Sequence, residues 1–172
     1  QTAKQMEGDI LDTLKDINGD LGNVVNDINS LTSGIASLNE KIAQIEAGLS
    51  EYKASYFRDQ RDIKLNGLAE LMDYTWYEDS NGQVEILAGG ESLVNAQGAY
   101  ALSTQVSIDG NTNIFARGKD ISSVFKKGQL GGFFDVRSDI ETNSLHDLRK
   151  LVASITNETN ILHRTGYGLD GS

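Results

Sequence analysis

The chain has 172 residues, 38% of them hydrophobic, and a formal net charge of −10 at pH 7. This length fits one domain, or one domain with a rigid extension. The acidic balance and the scattered Lys and Arg argue against nucleic-acid binding, because neutralising phosphates requires clustered basic residues. The chain contains no Cys, so disulfides and thiol chemistry are not available to it.

The sequence has neither a membrane-spanning segment nor a signal peptide. No apolar run approaches the roughly 18 residues of a membrane span, and the N-terminus lacks a basic region followed by an apolar stretch. We therefore expect no membrane association, and export, if it occurs, by a route without a cleaved signal peptide. The chain begins at Gln1 with a helical pattern under way by Met6, which suggests a fragment of a longer protein.

An apolar ladder with heptad spacing fills the first quarter of the chain. From Ile10 to Leu49 the steps alternate between three and four residues, a pattern typical of a helix that buries a narrow stripe against other helices. A helix from Met6 to Leu49 would be roughly 65 Å long. The ladder therefore predicts one long helix in an elongated, rod-like domain.

The pattern changes twice after this ladder. Glu51 begins a second helical segment, and Asn81-Gly82 is a strong hairpin signal between short stretches rich in β-forming residues. Heptad spacing returns between Leu145 and Leu162. Trp76 and Tyr77 could form a sugar-binding platform, but strand alternation places them on opposite faces, and at least one face is expected to be core.

The sequence thus predicts a mainly α member of the α+β class: an elongated bundle of long heptad helices with a small antiparallel β insert. We interpret residues 1–172 as a single rod-like domain fragment. Its predicted segments are a long helix (1–49), a second helix (50–72), a β-hairpin insert (73–120), a C-terminal helical region (121–166) and a lead into an outer domain (167–172).

No catalytic, cofactor-binding or metal-ligating constellation is predicted. The two histidines lack a Cys or carboxylate at ligand spacing, so we expect His146 on the solvated surface and His163 at a helix end, where a cation meets the helix dipole favourably. The glycines of Gly128–Gly132 lack the Lys-Ser/Thr ending of a phosphate-binding loop. The protein is therefore predicted to be non-enzymatic.

A charged cluster is interpreted as a structural clamp between helices. Arg58 can pair with Asp62 across one helical turn, and Arg61 can form a bidentate pair with a carboxylate of a neighbouring helix, such as Asp135 or Asp139. The predicted clamp comprises Arg58, Asp59, Arg61, Asp62, Asp135, Arg137 and Asp139.

Four segments together resemble the bacterial flagellar hook-associated proteins that form the first ring of the hook–filament junction. They are Asn29–Thr32 with Ile35–Asn39, Arg58–Asp62, Gly128–Asp139 and His163–Gly171. The order and spacing of the segments carry the resemblance, which spans nearly the whole chain. It implies the central helical rod domain of that family, with both terminal segments missing.

The resemblance implies a passive structural adaptor in the extracellular flagellum, exported by the flagellar type III apparatus. Its implied partners are the hook protein, the second junction protein, copies of itself in a ring, and an export chaperone that binds a missing terminus. Ring assembly would require the full-length protein, so the isolated fragment is expected to be a monomer.

Other interpretations remain open from sequence alone. The first fifty residues fit a coiled-coil sensory or signalling domain equally well, although the β insert argues against it. Another flagellar axial protein, such as the second junction protein or a flagellin-like subunit, shares a helical rod. An enzyme would need a converging polar pocket in the β region.

Overall fold

The computed structural model of the protein describes residues 3–48 and 51–165. Helix α1 is Ala3–Ala47, within the segment predicted from the heptad ladder. From Ile17 onward its apolar stripe is buried, which explains how a helix containing several glycines and asparagines forms: packing compensates for their weak helix propensity. The buried ladder positions are Ile17, Leu21, Val24, Ile28, Ile35, Leu38 and Ile42.

Helix α2 is Glu51–Leu71 and lies beside α1. A Cβ added to Gly67 would lie 3.7 Å from the side chain of Leu31, and one added to Gly34 would lie 2.9 Å from the Lys64 side chain. These distances place side chains of the two helices next to each other, and Gly34 leaves room for the end of the Lys64 side chain. The inner face of α2 contributes Leu65 and Leu68 to the core.

Seven short strands follow α2 and form two antiparallel sheets. The first sheet has the order β1-β2-β3-β4, and the second has the order β5-β6-β7. The strands are β1 Thr75–Glu78, β2 Val84–Ala88, β3 Glu91–Asn95, β4 Gly98–Ala99, β5 Leu102–Val106, β6 Thr112–Ala116 and β7 Lys119–Asp120.

The central strands of both sheets bury one face. In β2 the residues Val84, Ile86 and Ala88 are buried and alternate with less buried neighbours, and β6 shows the same pattern. This alternation is the period expected of a sheet with one face against a core. The β1–β2 turn uses Gly82, whose φ of +73° is in the left-handed region, as the Asn-Gly signal predicts.

Strand β1 lies at the edge of its sheet, and both of its faces are open to solvent. Trp76 is 51% exposed and Tyr77 is 53% exposed, on opposite faces. The expectation that at least one of these faces is core is therefore wrong, since all four residues of β1 are exposed. Two aromatic residues on opposite faces do not form a common platform.

The C-terminal part is helical. A 3-10 turn at Ser122–Val124 precedes α3, Gly128–Asp139, and a π-helical stretch at Ile140–Ser144 leads into α4, Leu145–Thr165. Helix α4 buries Leu148, whereas Leu151 and Ile155 are exposed. The predicted segment 167–172 lies outside the described residues.

The chain divides into two compact units. One unit is Ile17–Asp135 and contains most of α1, α2, both sheets and the start of α3; the other is Gln1–Asp16 with Val136–Ser172. The predicted fold class, α+β and mainly α with a small antiparallel region, is confirmed. The assignment of all residues to one rod-like domain stays a prediction. Among the described helices, none is long and apolar enough to cross a bilayer.

Candidate functional site

Two asparagines of α1 bind the β strands through bidentate hydrogen bonds. The Val84 N–H donates to Oδ1 of Asn39 over 3.0 Å, and Nδ2 of Asn39 donates to the Val84 carbonyl over 2.7 Å. Asn29 binds Leu102 in the same way, at 2.8 Å and 2.9 Å. Each side-chain amide therefore takes the place of a neighbouring strand, satisfying a donor and an acceptor that the sheet leaves unpaired.

Asn18 makes a third contact of this kind. Its Oδ1 accepts the Thr112 N–H at 2.9 Å, and its Nδ2 donates to the Gly110 carbonyl at 3.1 Å. The spacing from Asn18 to Asn29 is eleven residues and from Asn29 to Asn39 ten, close to three helical turns, so all three amides lie on the same side of α1. Both sheets are thus fastened to one helix at three levels.

A buried arginine joins α2 to this interface. Arg61 is only 2% exposed, and its Nη1 donates to Oδ1 of Asn39 at 3.1 Å and to the Gly82 carbonyl at 2.6 Å. Its Nη2 donates to Oε2 of Glu78 at 2.7 Å. Its Nε is buried without a hydrogen-bond partner. One guanidinium therefore connects α2, α1 and the β1–β2 hairpin. The planar guanidinium suits this role because its N–H donors point in several fixed directions.

Arg58, one turn earlier on α2, forms the outer part of the same cluster. It donates to Oε1 of Glu46 through Nε at 3.0 Å and Nη2 at 2.7 Å, and to Oε1 of Glu78 through Nη1 at 2.6 Å. The hydrogen bonds to Glu78 and Glu46 raise the pKa of Arg58 above its usual value. Its side chain is one-third exposed, so solvent screens these pairs.

Gly82 leaves the space that the side chains of Arg58 and Glu46 occupy. A Cβ on this residue would lie 2.6 Å from both Nη2 of Arg58 and Oε2 of Glu46, and its φ of +73° favours glycine independently. The glycine of the hairpin signal therefore has two functions, since it shapes the turn and admits the charged cluster.

The structure places Arg58 and Arg61 of the predicted clamp next to carboxylates other than those predicted. Arg58 and Arg61 do connect elements, but their carboxylate partners are Glu46 and Glu78 rather than Asp62, Asp135 or Asp139. Side chains at positions 58 and 61 share the inner face of α2, whereas Asp59 and Asp62 are exposed on the outer side. The predicted pairing of Arg58 with Asp62 is therefore wrong.

The remaining predicted clamp residues lie at or near the end of α3. Asp135 and Asp139 are exposed, and Arg137 is half-buried. Asp139 accepts a hydrogen bond from Nδ2 of Asn143 at 2.7 Å, one turn later along the chain. Asp139 thus has a local acceptor role, and Asp135 takes no part in the Arg61 cluster. His146 and His163 are both exposed, as expected from the sequence.

Sequence reasoning missed the three asparagines and both glutamates. The spacing of about three turns between Asn18, Asn29 and Asn39, on the buried side of a long helix, was a usable signal. Glu46 and Glu78 come from different elements, so no sequence spacing connects them to Arg58.

The arrangement offers cohesion rather than catalysis. The arginine–carboxylate pairs and the asparagine–backbone hydrogen bonds present no nucleophile with an adjacent base. Among the described residues no group of three His, Cys, Asp or Glu could hold a metal ion. A cavity of about 250 Å³ is lined by residues of β1, β2 and the segments next to them. Asp73 is the carboxylate in its lining, and it accepts the Lys126 backbone N–H.

The chain was compared with known proteins. It matches a family model described as the flagellar hook-associated protein FlgK helical domain over residues 1–172. It is similar to the solved structure of the flagellar hook junction protein FlgK from Burkholderia pseudomallei, with 28% identity and a TM-score of 0.68. The alignment covers 79% of this chain and 26% of that protein, so the chain spans about a quarter of its length. No curated protein matches at a significant level.

Proposed function

Because the chain belongs to the FlgK family of flagellar hook-associated proteins through its helical domain, we propose that it is part of a structural subunit joining the flagellar hook to the filament. The match of the family model over residues 1–172 is the observation that carries this proposal. The subunit acts as a non-enzymatic adaptor, and its copies assemble side by side in a ring.

The hydrogen bonds of the three asparagines and of Arg61 support a load-transmitting role. The three asparagines and Arg61 fasten both sheets to the helices at points far apart in sequence, which makes this unit resist internal rearrangement. An adaptor between two rotating segments needs such rigidity, because a soft subunit would absorb torque rather than transmit it.

The proposed partners follow from membership of the family. One side of the ring meets the hook protein and the other meets the second junction protein, while an export chaperone binds a terminal segment outside these residues. The protein reaches the cell exterior through the flagellar export apparatus without a cleaved signal peptide. The isolated fragment is a monomer in dilute solution, since assembly uses segments beyond it.

Deletion of the gene in its host tests this proposal. Electron microscopy is expected to show hooks without filaments, and flagellin is expected in the culture medium, because filament subunits have no junction to build on. Re-expression of the full-length protein restores filaments. Normal filaments on the deletion strain would contradict the proposal.

A further inference from the structure

The outer face of α2 combines apolar and acidic side chains that are exposed to solvent. Tyr56 and Ile63 are seven residues apart on the helix and 61% and 63% exposed. Asp59 and Asp62 lie between them, exposed, and neither side chain forms an ion pair or hydrogen bond among the described residues. We call these four residues the acidic face.

A basic counterpart lies just before α3. Lys126 and Lys127 are exposed, and the side chains of both are without an ion pair in the described ranges. The first turn of α3 contains no acidic residue, so the positive end of the helix dipole adds to their charge. Residues 117–127 contain four basic residues and one acidic residue, in a chain whose net charge is −10. We call Lys126 and Lys127 the lysine pair.

The two features occupy different places along α2. A Cβ on Gly128 would lie 2.7 Å from the backbone of Leu71 and Met72, so the lysine pair lies at the C-terminal end of α2. Asp62 is nine residues before Leu71, about 14 Å toward the N-terminal end of the helix. A partner can therefore cover one feature without covering the other.

We propose that the acidic face of one copy docks against the lysine pair of the next copy, head to tail, in the ring. The inference rests on the proposed function. A contact between two different surfaces repeats from subunit to subunit and closes into a ring when the rotation permits. Opposite charges favour this register, and Tyr56 and Ile63 supply the apolar area that becomes buried.

The contact is weak between two isolated copies. Exposed ion pairs contribute little individually, and salt screens them. In a ring every subunit makes the contact twice and is held by its neighbours, so effective concentration raises the occupancy of each contact. A monomeric fragment and an assembled full-length ring are therefore both expected.

Cysteine cross-linking tests the geometry while leaving all four charges in place. Asn66→Cys on the outer face of α2 and Gln129→Cys beside the lysine pair are introduced into the full-length protein, in a background without other cysteines. Isolated flagella are treated with a short bis-maleimide. The double variant is expected to give a ladder of dimers, trimers and larger products, and each single variant only monomers.

Charge reversal provides the second arm. Lys126→Glu with Lys127→Glu, or Asp59→Lys with Asp62→Lys, should lower the cross-linking yield about two- to fivefold for each reversed contact. Combining all four changes should restore the yield, which loss of folding would not do. Arg149→Glu with Lys150→Glu reverses another exposed adjacent pair and serves as the matched control.

The outcomes separate this inference from the proposed function. A dimer from Asn66→Cys alone would show that like surfaces meet and would overturn the head-to-tail contact. No ladder from the double variant, with filaments still attached to the hook, would also overturn it while leaving the junction role intact. Normal filaments on the deletion strain would refute the junction role itself.

Discussion

Asn39 is predicted to be the most important single side chain in fastening the first sheet to α1. It is 1% exposed and makes three hydrogen bonds, two with Val84 and one with Arg61. In Asn39→Ala the buried N–H and C=O of Val84 lose their partners, at about 1–3 kcal/mol each. Alanine regains about 0.6 kcal/mol of helix propensity. The expected net loss of stability is about 2–4 kcal/mol.

Hydrogen exchange measures this loss locally, which matters because a chain of two compact units need not unfold in one step. The Val84 amide should exchange roughly 30- to 1,000-fold faster in the variant, since each 1.4 kcal/mol corresponds to a factor of about ten. The fluorescence of Trp76, the only tryptophan, reports urea unfolding of the same sheet.

Asn26→Ala is the matched control. Asn26 lies on the exposed side of the same helix, and its side chain makes no hydrogen bond within the described residues. This variant should be unchanged or slightly more stable, because only the propensity gain remains. Equal Val84 exchange rates in the Asn39 and Asn26 variants would refute the view that the bidentate amide holds the sheet.

Three further predictions concern other parts of the same unit. Arg61→Met should lower the free energy of unfolding by about 3 kcal/mol, because it leaves buried acceptors unpaired, whereas Arg58→Met should lower it by at most about 1 kcal/mol. Urea midpoints distinguish the two variants, and equal losses would contradict the assignment of one buried and one solvent-screened arginine. Burial raises the pKa of Tyr74 above 10.0, so the neutral phenol is favoured in the folded state. The contribution of Tyr74 to stability is fully present below pH 10 and is lost as the pH rises through the raised pKa. Tyr74→Phe should make the fall of the urea midpoint with rising pH less steep, and an unchanged pH dependence would contradict this role of Tyr74. Gly128→Ala should destabilise the protein by about 3 kcal/mol or more, because the residue has φ +66° and a Cβ would lie 2.7 Å from backbone atoms. Gly132→Ala, with open space around it, should stabilise the protein by up to about 1 kcal/mol, and thermal unfolding measures both changes. A stable Gly128 variant would refute the close approach.

Several elements of the fold could be predicted because they depend on local sequence patterns. The heptad steps from Ile10 to Leu49 require only a helix with one buried stripe, and α1 meets that requirement over Ala3–Ala47. The Asn81-Gly82 hairpin is set by backbone geometry within four residues. The two-sided exposure of β1 was not predictable, because strand alternation indicates which residues share a face and not whether another element packs against that face.

The acceptors in the candidate site could not be predicted, because they depend on how the elements pack. The sequence indicates a structural role for Arg58 and Arg61 because each can pair with a carboxylate, across one helical turn or on a neighbouring helix. Their acceptors Glu46 and Glu78 come from the end of α1 and from an edge strand, and no periodicity links them. A choice among many carboxylates in an acidic chain depends on how the elements pack.

The sequence by itself determined the mainly helical class, the long heptad helix and the hairpin turn, because each depends on residues close together along the chain. It also determined the family resemblance, which depends on the order and spacing of four segments and not on how they pack. The tertiary structure alone decided that Asn18, Asn29 and Asn39 bind strand backbone as much as 94 residues away. It also decided that Asp59 and Asp62 stay on the surface. Such pairings follow from the packing of whole elements, in which the core fixes the register and the polar groups nearest to the unpaired strand atoms become their partners.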